Sequence, residues 1–390
     1  MPGERAAGGG RIDTTDLKEA VVLGGRGLAA ASTLVRDTHV AIARRAFSLS
    51  GPAARPAHLA HDAISSGVYA AVGGGARLLA QVAGTIAAAR AATGPAYRPL
   101  ADRRRGNVAI GAVNGAWGDR LAAWRSPLAL PMTVRHDDRD VPLDRDSLRE
   151  THPDATGDLA VFIHGLCETD ASWRQAAAEH HGDPQSTHGS RLRRRCGLTP
   201  VYLRYNTGRH ICDSGDDLDQ LLDELVAAWP VPVTRLTLVG HSMGGLVIRA
   251  ACHAGQDKDR PWVSLVGRIV YLGAPHLGAP LEVAVTAAGV ALRKLPETTP
   301  LARALATRSV GIKDLRFGDV RVDDWADIAD PDAWRPEPAE CAPLLAGAEH
   351  FYIGATISRR HDSVTARVIG DALVPWSSAS GTGRRRRLAL

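Results

Sequence analysis

The chain has 390 residues, which is enough for one large α/β domain with an appended segment. Hydrophobic residues make up 45% of it and charged residues 23%, as in ordinary globular proteins. The net charge of +5 is unevenly distributed along the chain: residues 1–105 carry +7, and the remaining residues are slightly acidic. Aromatic residues are not interleaved among the basic ones, so this charge indicates a solvated surface and not a nucleic-acid site.

The five cysteines stand at irregular spacings without a C-x-x-C pair, so neither a zinc site nor a disulfide framework is indicated. The chain does not open with a basic stretch followed by an apolar one, and no signal peptide is predicted. The longest weakly apolar stretch, residues 78–89, is too short to cross a bilayer. We therefore expect a cytoplasmic protein, with peripheral membrane contact as an alternative.

The N-terminal third is predicted to be helical. Residues 1–12 are expected to be disordered, and residues 13–130 to form a helical extension followed by a connector. Two interrupted apolar stripes predict helices up to about residue 50 and from about residue 56 to 95, the second split by glycines at 73–75. Residues 103–119, rich in Gly and Arg, are interpreted as the connector. The helices are expected to pack on the following domain, while contact with a lipid surface stays open.

Residues 131–390 are predicted to form an α/β domain. A strand pair is expected at 131–141, and apolar runs typical of buried strands follow at 159–163, 200–205, 236–240, 269–272 and 351–357. Helices are expected at about 172–180 and from Asp213 or Ser214 to Pro230. Strands alternating with helices imply a mostly parallel sheet covered on both faces. Residues 279–348 interrupt this alternation and are expected to form a lid above the site.

The most informative stretch is 236–247, where an apolar run leads into Gly-His-Ser-Met-Gly and then into a helical pattern. Strand, G-x-S-x-G and helix together define the context of a nucleophile elbow, with Ser242 as the nucleophile. Gly240 and Gly244 leave room for the strand and helix backbones to approach. The start of a helix also favours a developing anion, since its amides point outward.

A second motif, His164-Gly165-Leu166, directly follows the strand predicted at 159–163. This position suits an oxyanion loop, in which the amides of Leu166 and Met243 point at the acyl oxygen of a bound substrate. Losing one such donor typically costs about 2.7–4 kcal/mol of transition-state stabilisation.

Three motifs carry a resemblance to a known family: His164-Gly165-Leu166, Gly240-His241-Ser242-Met243-Gly244-Gly245 and Gly273-Ala274-Pro275-His276-Leu277-Gly278. They resemble the α/β-hydrolase superfamily, and within it the bacterial lipase and esterase branch close to GPI inositol-deacylase-like hydrolases. The resemblance covers about residues 156–380. It implies that His164, His241 and His276 line the site in structural roles.

The resemblance also implies an acid after the last strand. Gly370-Asp371-Ala372-Leu373-Val374-Pro375 is similar to the segment that carries it, which makes Asp371 the acid that orients a histidine. The family order is Ser, Asp, His, yet no histidine follows Asp371. Truncation of the gene product is the favoured explanation; a catalytically dead relative, or substitution by His361, are the alternatives. His350 is expected at the wrong end of the sheet.

The resemblance implies an α/β-hydrolase fold and a serine hydrolase of lipase or esterase type that acts through an acyl-enzyme, with an ester or lipid as substrate. No cofactor, metal or nucleic acid is expected. Because general base catalysis contributes about 10²–10⁴ in rate, we expect little ester hydrolysis from a chain without the histidine. The alternatives are an acyltransferase, which uses the same elbow, and a non-catalytic lipid-binding or scaffold relative.

Overall fold

The computed structural model describes residues 14–49, 55–93, 97–333, 342–355 and 374–381. The helices of these residues are α1 Thr15–Leu49, α2 Arg55–Ala92, α3 Arg104–Ala123, α4 Arg145–Thr151, α5 Ala177–His181, α6 His188–Cys196, α7 Ile211–Ala228, α8 Met243–Asp257, α9 Pro280–Leu292, α10 Thr299–Ala306, α11 Val310–Asp314 and α12 Trp376–Ala379. The strands are β1 Thr133–His136, β2 Arg139–Val141, β3 Asp158–Ile163, β4 Thr199–Arg204, β5 Arg235–His241, β6 Val266–Leu272 and β7 Glu349–Ile353.

The described strands form one sheet in the order β2-β1-β4-β3-β5-β6-β7. Strands β3 to β7 are parallel, whereas β1 runs antiparallel to both β2 and β4. The predicted mostly parallel α/β fold with a helical N-terminal extension is thereby confirmed. Since β3 and β5 lie side by side at the centre, the loops after their carboxyl ends meet at one edge.

The two faces of the sheet have separate cores. Leu159, Val161 and Ile163 of β3 pack into the larger cluster, which includes the apolar faces of α7 and α8. Phe162 points to the opposite face and packs with Trp173 and Val239. This division follows from the period of two along a strand, and it explains why a strand covered by helices on both faces is apolar throughout.

The first two helices form an antiparallel hairpin. A Cβ added to Gly84 would lie 2.9 Å from the carbonyl oxygen of Lys18, and one added to Gly73 would lie 3.7 Å from Ala29 Cβ. The glycines at 73–75 were expected to split the second helix, and this prediction is wrong. Gly73 and Gly84 instead let the two helix backbones approach, so tertiary packing offsets their low helix propensity, whereas a Cβ on Gly74 or Gly75 would meet nothing within 4 Å. No helix among the described residues combines the length and apolarity that crossing a bilayer requires.

Residues 103–119 are not a connector, as the sequence had indicated, but most of helix α3. Its glycines face neighbouring backbone: a Cβ on Gly111 would lie 2.9 Å from Glu168 O, and one on Gly115 would lie 2.9 Å from Cys167 N. The Asn114 side chain donates to Leu128 O at 2.7 Å and accepts from Leu130 N at 3.0 Å, which holds the following segment. Close packing therefore stabilises a helix whose residues have poor intrinsic propensity.

Helix α7 begins at Ile211, two or three residues before the predicted start. Asp314, far along the chain, accepts from the amide of Ile211 at 2.9 Å and lies 3.0 Å from His210 Nδ1. A carboxylate at this position satisfies an amide that has no partner within the helix. Residues 172–180, predicted as one helix, contain the end of a 3-10 turn and most of α5. The domain boundaries and the lid at 279–348 stay predictions.

Candidate active site

Ser242 lies on a strained turn between β5 and α8. Its backbone has φ 49° and ψ −120°, in the left-handed half of conformational space that residues with a Cβ rarely occupy. Its amide donates to Leu272 O at 2.8 Å, so the neighbouring strand β6 holds the turn in place. Ser242 does not cap α8 with its side chain. Its half-buried hydroxyl is therefore not used by the helix that follows.

The two glycines of the elbow are required by close approach. A Cβ on Gly240 would lie 2.6 Å from the amide nitrogen of Gly245, and one on Gly244 would lie 2.3 Å from Ile163 O. Distances below 3.0 Å cannot be relieved without moving backbone, so only glycine fits at these positions. The start of α8 thus packs directly against the end of β3, which brings the second motif to Ser242.

Residues Gly165 to Glu168 form a tight turn at the end of β3. Glu168 N donates to Gly165 O at 3.2 Å, and Cys167 has φ 61°. A Cβ on Gly165 would lie 3.1 Å from Ser242 Cβ, so this turn runs directly beside the elbow. The structure therefore brings together the two motifs that the sequence singled out.

The amides of this turn differ in their partners. Gly165 N donates to Glu168 Oε2 at 2.8 Å, and Cys167 N donates to Thr207 Oγ1 at 3.1 Å. Between them, Leu166 N has no acceptor among the described residues, and neither has Met243 N at the start of α8. The turn at Gly165 and the start of α8 thus each carry one amide without an acceptor in the described part of the chain, and both adjoin Ser242.

Glu168 links the two sides of the site. Its Oε2 lies 2.9 Å from Nδ1 of His241 as well as bonding the Gly165 amide. Burial favours the neutral acid, but the hydrogen bond and charge of His241 outweigh it, and the pKa of Glu168 lies below its usual value. Glu168 is therefore ionised at neutral pH. Glu168 could not be recognised from the local sequence pattern, because its partner His241 is 73 residues away in the chain.

His164 is fully buried beneath the turn. Its ring stacks on Tyr205 with centroids 4.5 Å apart, Nδ1 lies 3.0 Å from Gly165 O, and Nε2 lies 3.3 Å from Tyr205 N. Nδ1 therefore donates and Nε2 accepts, which requires a neutral ring. Burial lowers the pKa of His164 to about 4, in agreement with this bonding. The ring is occupied on both nitrogens and supports the turn from below.

His276 lies after β6 with its ring in the core. The ring packs edge-on against Tyr271 at 4.5 Å and Tyr352 at 5.4 Å, and neither ring nitrogen has a hydrogen-bond partner within the described ranges. Burial, reinforced by the charge of Arg249, holds its pKa well below the usual value. The ring is therefore uncharged at neutral pH, and the structural role that the resemblance implies for His276 stays a prediction.

The structure describes His350 but neither the predicted acid, Asp371, nor the alternative base, His361, which lie outside the described residues. His350 belongs to β7 and is paired with Ile269, on the amino-terminal side of the Leu272–Ile353 pair that ends beside the elbow. Its Nε2 lies 2.9 Å from Leu345 O. His350 therefore occupies the end of the sheet away from Ser242, as expected.

The sheet order, the strained serine and the adjoining turn define an α/β-hydrolase-type fold. Residues 154–294 match the family described as "PGAP1-like alpha/beta domain". The match covers β3 to α9, including both the turn at Gly165 and the elbow.

Two solved structures are similar, both of Bacillus licheniformis lipase BlEst2. The propeptide form shares 17% identity over 51% of this chain and 36% of its own, with a TM-score of 0.35. The mature form shares 19% identity over 45% of this chain and 61% of its own, with a TM-score of 0.29. The chain thus spans 36% and 61% of those two lipase chains, and TM-scores below 0.5 support no functional conclusion. The comparison with curated protein sequences gave no significant match.

Proposed function

We propose that the protein is a serine ester hydrolase of lipase or esterase type. Ser242 Oγ attacks the ester carbonyl carbon, the carbonyl π electrons move to oxygen, and the amides of Leu166 and Met243 bind the resulting oxyanion. As this intermediate collapses, the proton taken from Ser242 passes to the leaving oxygen, so the alcohol departs and an acyl-enzyme remains; water then hydrolyses it to the carboxylic acid and free Ser242. The single observation that supports this proposal is Ser242 at φ 49° beside two amides without acceptors in the described part of the chain.

In this proposal Asp371 is the acid of the triad. It orients the histidine that acts as general base and takes the proton from Ser242 Oγ. Among the described histidines, His164 uses both nitrogens to support the turn, and His241 lies against Glu168. Neither is assigned as the base. His361 remains the alternative base.

The test is covalent labelling of the full chain by a fluorophosphonate, which reports the nucleophile even when turnover is slow. Intact mass spectrometry should find one adduct, located on Ser242 by peptide mapping. Ser242→Ala should abolish it, while Ser264→Ala, which removes an exposed hydroxyl elsewhere, should retain it. An adduct on another residue, or no adduct together with no hydrolysis of p-nitrophenyl esters, would contradict the proposal.

Contact with a lipid surface through the hairpin is a second candidate. Among its described residues, helix α2 exposes eight large apolar side chains, each at least 49% accessible: Leu59, Ile64, Val68, Val72, Leu78, Leu79, Val82 and Ile86. Sedimentation with uncharged phosphatidylcholine vesicles tests this contact. The variant V68S/V72S/L79S should stay in the supernatant, and the control V108S/V322S/I353S, which changes equally exposed residues elsewhere, should sediment like the wild type. Failure of the wild type to sediment would reject the idea.

A further inference from the structure

A groove of about 1050 Å³ lies between helix α1 and the segment that joins α9 to α10. Within the described ranges, its charged lining consists of six cations and two carboxylates: Arg36, Arg44, Arg45, Arg293, Lys294, Arg303, Asp37 and Glu297. None of its lining residues belongs to the elbow or to the turn at Gly165. The groove is therefore separate from the candidate active site.

Half of the cations in the groove are paired with carboxylates. Arg45 Nη1 lies 2.7 Å from Glu297 Oε1 across the groove. Arg36 and Arg293 each contact a carboxylate as well, at 2.7 Å and 3.1 Å.

The other three cations are Arg44, Lys294 and Arg303, which have no carboxylate partner among the described residues. Arg44 comes from α1, and the other two come from the opposite wall. Uncompensated positive charge thus faces the groove from both sides.

We propose that this groove binds an anion that carries phosphoryl groups. Guanidinium and ammonium groups on two walls match the several oxygens and the multiple charge of such a group. Among the described residues, the lining contains no aromatic side chain on which a nucleobase could stack. Its apolar part is limited to short side chains such as Val40 and Ala41, so an acyl chain is not the group it recognises.

The bridge between Arg45 and Glu297 is the element that the anion displaces. Glu297 is ionised, because its hydrogen bond to Arg45 lowers its pKa. A phosphoryl group entering the groove competes with this carboxylate for Arg45, and binding then joins α1 to the α9–α10 segment through the ligand. The same chemistry is offered by a soluble phosphorylated molecule and by a phospholipid headgroup.

Calorimetric titration of the full chain with inorganic pyrophosphate tests the soluble source. The variant R44A/K294A/R303A should bind at least about tenfold more weakly, because it loses three charge-assisted contacts. The control R105A/R139A/R195A removes the same charge from exposed sites elsewhere and should bind like the wild type. Glu297→Gln should bind more tightly, since it removes the competing carboxylate.

Sedimentation with phosphatidylcholine vesicles, with and without phosphatidic acid, tests the lipid source. Additional binding that depends on phosphatidic acid and is lost in R44A/K294A/R303A alone would support the groove as a headgroup site. Equal losses in both triple variants would overturn the proposal, because binding would then depend only on net charge. Absence of binding to both pyrophosphate and phosphatidic acid would overturn it as well.

Discussion

Glu168 Oε2 and His241 Nδ1 lie 2.9 Å apart, and this contact joins the turn after β3 to the end of β5. The same oxygen accepts from Gly165 N at 2.8 Å. One carboxylate thus fixes the residue before Leu166 and the residue before Ser242 relative to each other. The relative position of a nucleophile and its oxyanion donors determines rate, because an error of about 1 Å can cost about 10²-fold.

Glu168→Gln is therefore expected to slow fluorophosphonate labelling of Ser242 about 10- to 100-fold, with little change in the probe concentration that gives the half-maximal labelling rate. The amide keeps the size of the side chain but loses the charge that attracts His241. Labelling rates measured over a range of probe concentrations separate reactivity from binding. The control Glu179→Gln neutralises an exposed carboxylate and should label at the wild-type rate.

The pH dependence of this contact follows from the lowered pKa of Glu168. The contact stabilises the folded protein fully above the ordinary glutamate pKa. This stabilisation is lost as the pH falls through the lower pKa that Glu168 has in the folded protein. The wild type should therefore label faster than Glu168→Gln at neutral pH, and the difference should shrink at acid pH. A constant ratio at all pH values would contradict the role of the charge.

Ser242→Gly is expected to stabilise the protein while abolishing labelling. Glycine adopts φ 49° and ψ −120° without the cost that a Cβ imposes, which is about 1–3 kcal/mol for a residue in a sparsely populated region. Ser242→Ala keeps the Cβ and should leave the free energy of unfolding nearly unchanged. Urea denaturation measures both variants; equal stability of the glycine and alanine variants would show that the turn is not strained.

Gly115→Ala tests the packing of α3 against the turn at Gly165. The added Cβ would lie 2.2 Å from Cys167 Sγ and 2.9 Å from Cys167 N, so the turn or the helix must move. We expect a loss of about 1–3 kcal/mol in stability, together with slower labelling of Ser242. The matched control is Gly74→Ala within α2, where a Cβ meets nothing within 4 Å and alanine should stabilise the helix slightly. An unchanged labelling rate in Gly115→Ala would show that the packing of α3 does not affect the reactivity of Ser242.

His164 is expected to make stability depend on pH between about 4 and 6.5. In the unfolded chain His164 has the ordinary pKa of 6.5, whereas burial lowers its pKa in the folded protein to about 4. Stability should therefore be complete above pH 6.5 and fall as the pH is lowered. For a single such group the difference between pH 7.5 and pH 5 is about 2 kcal/mol. His164→Asn should remove this part of the pH dependence of the free energy of unfolding, measured by urea denaturation. The same pH dependence in the variant would show that another group causes it.

The sequence alone determined the elements whose signals are local. Strands β3, β5 and β6 could be predicted because each contains a short apolar run, and the turn at Ser242 because G-x-S-x-G stands between a strand and a helix. The oxyanion role of the Leu166 and Met243 amides stays a prediction from motif positions, and neither amide has an acceptor in the described residues.

Tertiary structure decided the features that depend on residues far apart in the chain. Helix α3 was mistaken for a connector because its glycines lower helix propensity, and only the close approach of Cys167 and Asn206 explains why they are there. The start of α7 is set by Asp314, about a hundred residues later, and the site is joined by Glu168 across 73 residues. The cationic groove likewise exists only because α1 lies against the α9–α10 segment. Local periodicity carries no information about such contacts, since they form only when the folded core brings distant backbone segments together.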